Sequence, residues 1–295
     1  MLRIEHLNKS FGNTEVLKDL NLEVKEKTVY GLVGVNGAGK STLLRLIAGV
    51  YQRDSGTILF NDKDPQKDAE IRKEIAFVPD EAYFPAGATI ASLKELYQCM
   101  YGFDEEAFRK YLEVFELNEK SSVGSLSKGN KRRVSILFAL CTHPKLLLLD
   151  EAYDGLEPLA RLKFRQILAE LLEDENITVI ISSHNLRELE DICDSYGILE
   201  DGKMLDHGDL ERAKESVWKY QIAFSEDKGE KDFEGLQILH YEQSGRVITM
   251  VIQGEKHAVS ERLQAMKPVL LDVLPVSFEE LYIYRLEGER REEHA

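Results

Sequence analysis

Cysteine is scarce in this 295-residue chain, and its spacing excludes two kinds of stabilised fold. The three residues, Cys99, Cys141 and Cys193, are odd in number, far apart and without a C-x-x-C pair, so neither a disulfide framework nor a zinc site is supported. They read as small buried hydrophobes in a reducing compartment. Long apolar runs are also missing: Val134–Cys141, Leu146–Leu149 and Ile177–Ile181 fall short of the roughly 18–20 residues that cross a bilayer. The opening residues mix Glu, Lys and Asn with isolated apolar positions and show no basic start, apolar centre or small-residue cleavage site, so export is not expected. Nor is there a basic excess. Lys plus Arg number 38 against 53 for Asp plus Glu, a net charge of −15, and such a field repels phosphodiester backbones unless the cations gather on one face.

What is present is an ordinary globular composition, 43% hydrophobic and 31% charged, able to build packed layers. At about 150 residues per domain, the length suggests one large domain and a smaller one. Leu2–Leu7, Val16–Val24, Thr28–Val33 and Thr57–Phe60 read as strands, and Ser41–Ile47 as a helix directly after a glycine-rich turn. From about Tyr83 to His143 the spacing becomes helical, with Leu93, Leu96 and Met100 on one stripe and Phe108, Leu112 and Phe115 on another. Lys145–Asp150 and Thr178–Ser182 return to short apolar runs of the kind that fill parallel strands buried on both faces, with the amphipathic Leu159–Leu172 between them. After about Lys214 the pattern changes again. Trp218–Phe224, Leu236–Tyr241, Val247–Ile252 and Val269–Val273 resemble strands, the second and third joined at Gln243-Ser244-Gly245. A helix is expected near Val259–Met266 and a last one behind the capping box Ser277/Glu280. The acidic stretch Ser225–Glu234 reads as a solvated loop. The chain is thus expected to be α/β, with a core over residues 1–213, a helical part at about 83–143 and a C-terminal α/β domain over 214–295. No internal repeat is found.

Gly34-Val35-Asn36-Gly37-Ala38-Gly39-Lys40-Ser41 fits G-x-x-x-x-G-K-[ST] between a strand and a helix, the context the motif requires. Glycines at 34, 37 and 39 permit a nest of backbone N–H groups converging on an anion, with the helix N-terminus behind it. Asn36, Ala38 and Thr42 belong to the same cradle, Lys40 can reach the β- and γ-phosphates, and the Ser41 hydroxyl can bind Mg²⁺. A nucleoside triphosphate with Mg²⁺ is the expected ligand. Leu146-Leu147-Leu148-Leu149 then delivers Asp150 and Glu151 to the C-terminal edge of the sheet. Asp150 is expected in the metal shell and Glu151 as the group that deprotonates the attacking water.

Between these motifs, Leu126-Ser127-Lys128-Gly129-Asn130 resembles the signature motif of ATP-binding cassette (ABC) ATPases, usually LSGGQ. Phe11 stands where that family places an aromatic on adenine, Asp154-Gly155-Leu156-Glu157-Pro158 resembles its D-loop, and Ser183-His184-Asn185 its switch histidine. The resemblance covers residues 1–213 and implies a P-loop ABC ATPase core with a helical subdomain. It implies that two cassettes pack head to tail, with ATP at one P-loop closed over by Ser127 and Gly129 of the other and His184 touching the γ-phosphate. Departures are present: Asp80 occupies the usual Q-loop glutamine position, where it could bind Mg²⁺ or orient water but not donate as an amide does; Lys128 replaces a glycine, Asn130 a glutamine, and Glu157 an aspartate. Lys40, Asp150, Glu151 and His184 are intact, so hydrolysis is expected.

The remaining candidates have plainer readings. The other histidines, His143 and His240 among them, show no ligand spacing; Trp218 and Tyr220 read as core; Lys131-Arg132-Arg133 opens the helix behind the signature rather than forming a nucleic-acid patch. One cassette with a compact insertion resembles the energising subunit of a transporter, as a homodimer or with a paralogous cassette, bound to a separate permease at the cytoplasmic face of the membrane and without nucleic acid. The alternatives are a soluble ABC ATPase acting on ribosome or DNA, and a low-turnover regulatory cassette. The signature lysine, the acidic Q-loop position and the C-terminal appendage together resemble ABC-2-type exporters of drugs, antibiotics and peptides in Gram-positive bacteria, in the style of the YtrB-like and phenol-soluble-modulin groups. Tyr83, Phe84 and Leu93 are then candidate permease contacts.

Overall fold

A computed structural model describes residues 1–151, 153, 156–174 and 176–284. Two compact units divide at His207/Gly208, six residues before the boundary expected from the change of pattern.

In the first unit, β1 (Leu2–Phe11) and β2 (Thr14–Val24) form an antiparallel pair, followed by β3 (Val29–Val33), α1 (Lys40–Ile47) and β4 (Ser55–Phe60). Next come α2 (Ala69–Lys73), β5 (Ile75–Val78), α3 (Ile90–Met100), α4 (Glu105–Val114), α5 (Lys128–Leu140), β6 (Leu146–Asp150), α6 (Pro158–Asp174), β7 (Thr178–Ser183), α7 (Leu186–Glu190), β8 (Ser195–Glu200) and β9 (Lys203–Asp209). One sheet is three-stranded in the order β2-β1-β4; the other has six strands in the order β5-β6-β7-β3-β8-β9. The pairs β5/β6, β6/β7, β7/β3 and β3/β8 are parallel. Every residue of β3, β6 and β7 is buried, which is why these strands read as unbroken apolar runs. Because they are parallel and centred in the sheet, they deliver their C-terminal ends, and the loops that follow, to one edge.

The helical region differs from its expected pattern. α3 starts with a capping box in which Thr89 and Ser92 exchange backbone and side-chain bonds. Its inward face is Ile90 and Leu93, both buried, and the half-buried Tyr97, stacked 4.6 Å from Phe138. Leu96, Cys99 and Met100 are exposed. The expected stripe Leu93, Leu96 and Met100 is therefore split, with Leu93 inside and the other two on the face that α5 does not cover. Leu93 is core, which removes it from the permease contacts.

In the second unit, α8 (Leu210–Glu215) leads into β10 (Val217–Ala223), β11 (Gln237–Ser244), β12 (Val247–Gln253), α9 (Lys256–Ala265) and β13 (Leu270–Leu274), with the antiparallel order β11-β12-β10-β13. Residues 278–284 are helical, and Ser277 and Glu280 make the reciprocal capping bonds. Ser244 pairs with Val247, so the hairpin turns at Gly245-Arg246, which shares only Gly245 with the expected Gln243-Ser244-Gly245. Tyr220, Ile222, Met250, Val259 and Leu263 fill the core, and Trp218 packs against it with its Nε1 donating to the Gly254 carbonyl. Ser225–Glu234 is not wholly a solvated loop: Phe233 is buried between Phe224 and Tyr241, where one apolar side chain outweighs its charged neighbours.

Burial pushes the Cys141 thiol up to about 12, with the Asp104 carboxylate adding to the effect, and raises that of Cys193 further. The thiolate is the reactive form. Iodoacetamide at mildly alkaline pH is therefore expected to modify Cys99 in the native protein and the other two cysteines only in denaturant. Peptide mass spectrometry checks this, and equal labelling of all three would contradict the packing.

Candidate active site

The loop from Gly34 to Gly39 joins β3 to α1. A Cβ on Gly34 would lie 2.3 Å from the Leu199 carbonyl oxygen, so the loop passes β8 at a distance only glycine permits. Gly39, at φ 111°, turns the chain into α1 as its N-cap, a conformation costly for any other residue. Asn36 and Gly37 form the exposed tip, Ala38 is buried, and Thr42 follows Ser41 in the first turn of α1. Lys40 is only 4% exposed; its Nζ donates to the carbonyls of Gly34 (2.7 Å) and Val35 (3.3 Å) and stands 3.7 Å from Glu151 Oε1. A helix N-terminus, a nest of N–H groups and a buried ammonium together make an anion site.

Asp150 ends β6 with no exposed surface. Its Oδ1 accepts from Ser41 Oγ (2.8 Å) and Ser182 Oγ (3.0 Å). Its Oδ2 has no hydrogen bond among the described residues, and the Arg45 guanidinium is 3.9 Å away. One unspent carboxylate oxygen beside a serine hydroxyl suits a hard cation that completes its shell from phosphates. Among the described residues no cluster of three or more His, Cys, Asp or Glu could hold a metal without such help.

Glu151 follows with φ 48°. Its backbone N–H donates to the Ser182 carbonyl (3.2 Å) and hydroxyl (3.0 Å), and its carboxylate lies between Lys40 and His184, whose Nδ1 is 3.7 Å from Oε2. The structure therefore brings Lys40, Ser41, Asp150, Glu151 and His184 to one place. Sequence reasoning missed Ser182, which braces both acidic residues; the signal was a pair of hydroxyls ending an otherwise apolar strand. It also missed Tyr51 and Arg45. Phe11, 45% exposed at the tip of β1, meets Tyr51 edge-on at 5.3 Å. The Arg45 guanidinium lies 5.8 Å from the Tyr51 ring, so contacts run from an exposed aromatic suited to stacking on a base to the buried carboxylate.

The other expected residues stand apart. Ser127 is the N-cap of α5, its Oγ accepting from the Asn130 N–H, and Gly129 lies inside the first turn. Asp80, expected as a residue that could bind Mg²⁺ or orient water, has its carboxylate paired with Lys128 (3.3 Å) and Arg132. Of the D-loop, Asp154 and Gly155 lie outside the described residues, as does Ala152; Glu157 pairs with Arg133 at 3.0 Å. Beside α3 and α5, Phe77, Pro79, Tyr83, Phe84, Tyr97 and Tyr101 contribute to the lining of a cavity of ≈ 200 Å³, with Tyr83 89% exposed. No helix among the described residues is long and apolar enough to cross a membrane.

Residues 17–154 match the ABC transporter family. Over 292 residues, 99% of this chain and 100% of the relative, the sequence is 31% identical to the ABC transporter ATP-binding protein YtrB of Bacillus subtilis. It is 31% identical to the lantibiotic transport ATP-binding protein SrtF of Streptococcus pyogenes over 228 residues, 76% of this chain and 98% of that one. A solved ATP-binding subunit of an ABC transporter superposes with a TM-score of 0.67 at 28% identity, covering 72% of this chain and 92% of the other.

The close approach at Gly34 leads to a direct test. Gly34→Ala is expected to weaken binding of a fluorescent ATP analogue by at least about tenfold, ~1.4 kcal/mol, with the circular dichroism spectrum unchanged. Undiminished binding would show that the loop tolerates a side chain there.

Proposed function

Because the chain belongs to the ABC transporter ATP-binding proteins, and is an ATP-hydrolysing subunit of a membrane transporter, we propose that it powers a separate permease that exports peptides, antibiotics or other amphipathic compounds. The observation that carries the catalytic reading is the convergence of Lys40, Ser41, Asp150, Glu151 and His184 around one phosphate cradle.

The N–H groups of the loop from Gly34 to Gly39 and the Lys40 ammonium bind the phosphates, and Phe11 stacks on the base. Ser41 Oγ and Asp150 Oδ2 are the atoms that would hold Mg²⁺, which when bound neutralises charge on the β- and γ-phosphates. A triphosphate in the cradle competes with Glu151 for Lys40. The carboxylate so released accepts the proton of the attacking water as that oxygen bonds to the γ-phosphorus, the bond to the β-phosphate oxygen breaks, and ADP and phosphate leave. His184, next to Glu151, orients the carboxylate and contacts the γ-phosphate.

Two copies, or this chain and a paralogous cassette, close head to tail so that Ser127 and Gly129 of one meet ATP on the other. At the cytoplasmic face of the membrane the permease docks beside α3. The aromatic cavity with Tyr83 and Phe84, and the exposed Leu96, Cys99 and Met100 on the same helix, support that assignment. A peptide or antibiotic substrate is supported by the lantibiotic transport subunit among the relatives.

The C-terminal domain, expected over 214–295, is proposed to self-associate. Among the described residues β13 is an edge strand that exposes Leu270 and Val273, with Val269 just before it, and such edges are templates for pairing. Deleting the residues after Lys214 is expected to abolish ATP-free dimers in analytical ultracentrifugation; unchanged self-association would count against this role.

Glu151→Gln is expected to bind ATP with near-normal affinity, lose turnover by about 10²–10⁴-fold as removal of a general base does, and accumulate ATP-bound dimers on gel filtration. Rapid phosphate release by that variant would refute the assignment. Purification from native membranes should retain a polypeptide with several apolar spans; retention of ribosomes or DNA would favour the soluble alternative.

A further inference from the structure

Two unusual residues of the sequence, an acid at position 80 and a lysine at 128, meet in the structure. Asp80 lies two residues beyond β5, which pairs in parallel with β6, the strand ending in Asp150. Lys128 and Arg132 are one turn apart at the start of α5. Both converge on Oδ1 of Asp80: Arg132 Nη2 donates a hydrogen bond to it, and Lys128 Nζ is 3.3 Å away. Arg132 is 6% exposed, and its Nε has no acceptor among the described residues. The Asp80 side chain is 36% exposed, so the pair is half-buried, but the guanidinium lies inside, and removing its carboxylate leaves that cation uncompensated. The neighbouring Arg133 pairs with Glu157 at 3.0 Å, just before α6. The first turns of α5 are thus tied on one side to the end of β5 and on the other to the segment entering α6.

We propose that Asp80 is a positioning residue rather than a metal ligand: its carboxylate, shared by Arg132 and Lys128, anchors the N-terminal turn of α5 to the end of β5 and so sets where Ser127 and Gly129 are presented to the ATP of the partner cassette. A carboxylate already neutralised by two cations has little attraction left for a third. Yet its loss leaves Arg132 uncompensated and lets the turn shift. The inference rests on the reading of the chain as an ATPase in which that turn completes the site of the partner cassette.

The test is steady-state hydrolysis by the full chain with ATP and Mg²⁺ varied separately. Asp80→Asn, which keeps shape and loses charge, is expected to lower kcat about tenfold while KM for ATP and the half-saturating Mg²⁺ concentration stay within about twofold, the signature of an interaction needed in the transition state only. Asp80→Glu should recover most of kcat. Arg132→Met should lower kcat comparably, and the double variant Asp80→Asn/Arg132→Met should fall no further than the worse single one, since coupled partners are non-additive. An unchanged kcat in Asp80→Asn would overturn the proposal, as would multiplied losses in the double variant or a raised Mg²⁺ requirement, which would restore the metal role. Absence of turnover in the unaltered chain would instead overturn the ATPase reading itself.

Discussion

A carboxylate without exposed surface stands where three elements of the first unit meet. Asp150 ends β6, takes the Ser41 hydroxyl from the first turn of α1, and takes the Ser182 hydroxyl from β7. A buried charge is tolerated only where hydrogen bonds and a counter-charge replace water, and here Arg45 supplies part of the latter at 3.9 Å. The position of the phosphate cradle relative to the sheet therefore depends on this one residue. Moving α1, β6 or β7 independently would break bonds to a group that has no solvent to turn to.

Around that fixed point the more adaptable charges are arranged in a line. Lys40 divides its protons among two loop carbonyls and the neighbourhood of Glu151, and Glu151 divides its oxygens between Lys40 and His184. These separations of 3.7 Å are close enough for electrostatic coupling and too long for hydrogen bonds. An anion entering the cradle can thus redistribute the charges without a change of fold, whereas the shorter bonds on Asp150 hold the frame in which they move. The ties on α5, through Asp80 and Glu157, extend the same frame to the helix that carries Ser127 and Gly129.

Much of this was legible because the chemistry is local in the chain. The cradle is a run of consecutive residues whose glycines are required by a close approach and a positive φ, and the buried strands announce themselves by having no polar face. Where the reading failed, identity and period were right but the covering surface was not visible. Of the stripe Leu93, Leu96 and Met100 on α3 only Leu93 is buried, and Tyr97 is the residue that meets Phe138. Phe233 sits in an acidic stretch and is buried all the same. Periodicity specifies a stripe; only the neighbouring elements decide which stripe is inside.

By itself, the sequence determined the class of fold, the phosphate cradle and the pair of carboxylates, since each is encoded by adjacent residues and by the short-range geometry of strand, turn and helix. Only the tertiary structure decided the partners of those groups. Ser182 on Asp150, Arg45 against Tyr51, and Arg132 on Asp80 join residues that are far apart in the chain. Charge pairing depends on distance in space, and that distance is set by parallel strands packing through their crossover helices, which no local spacing of residues expresses.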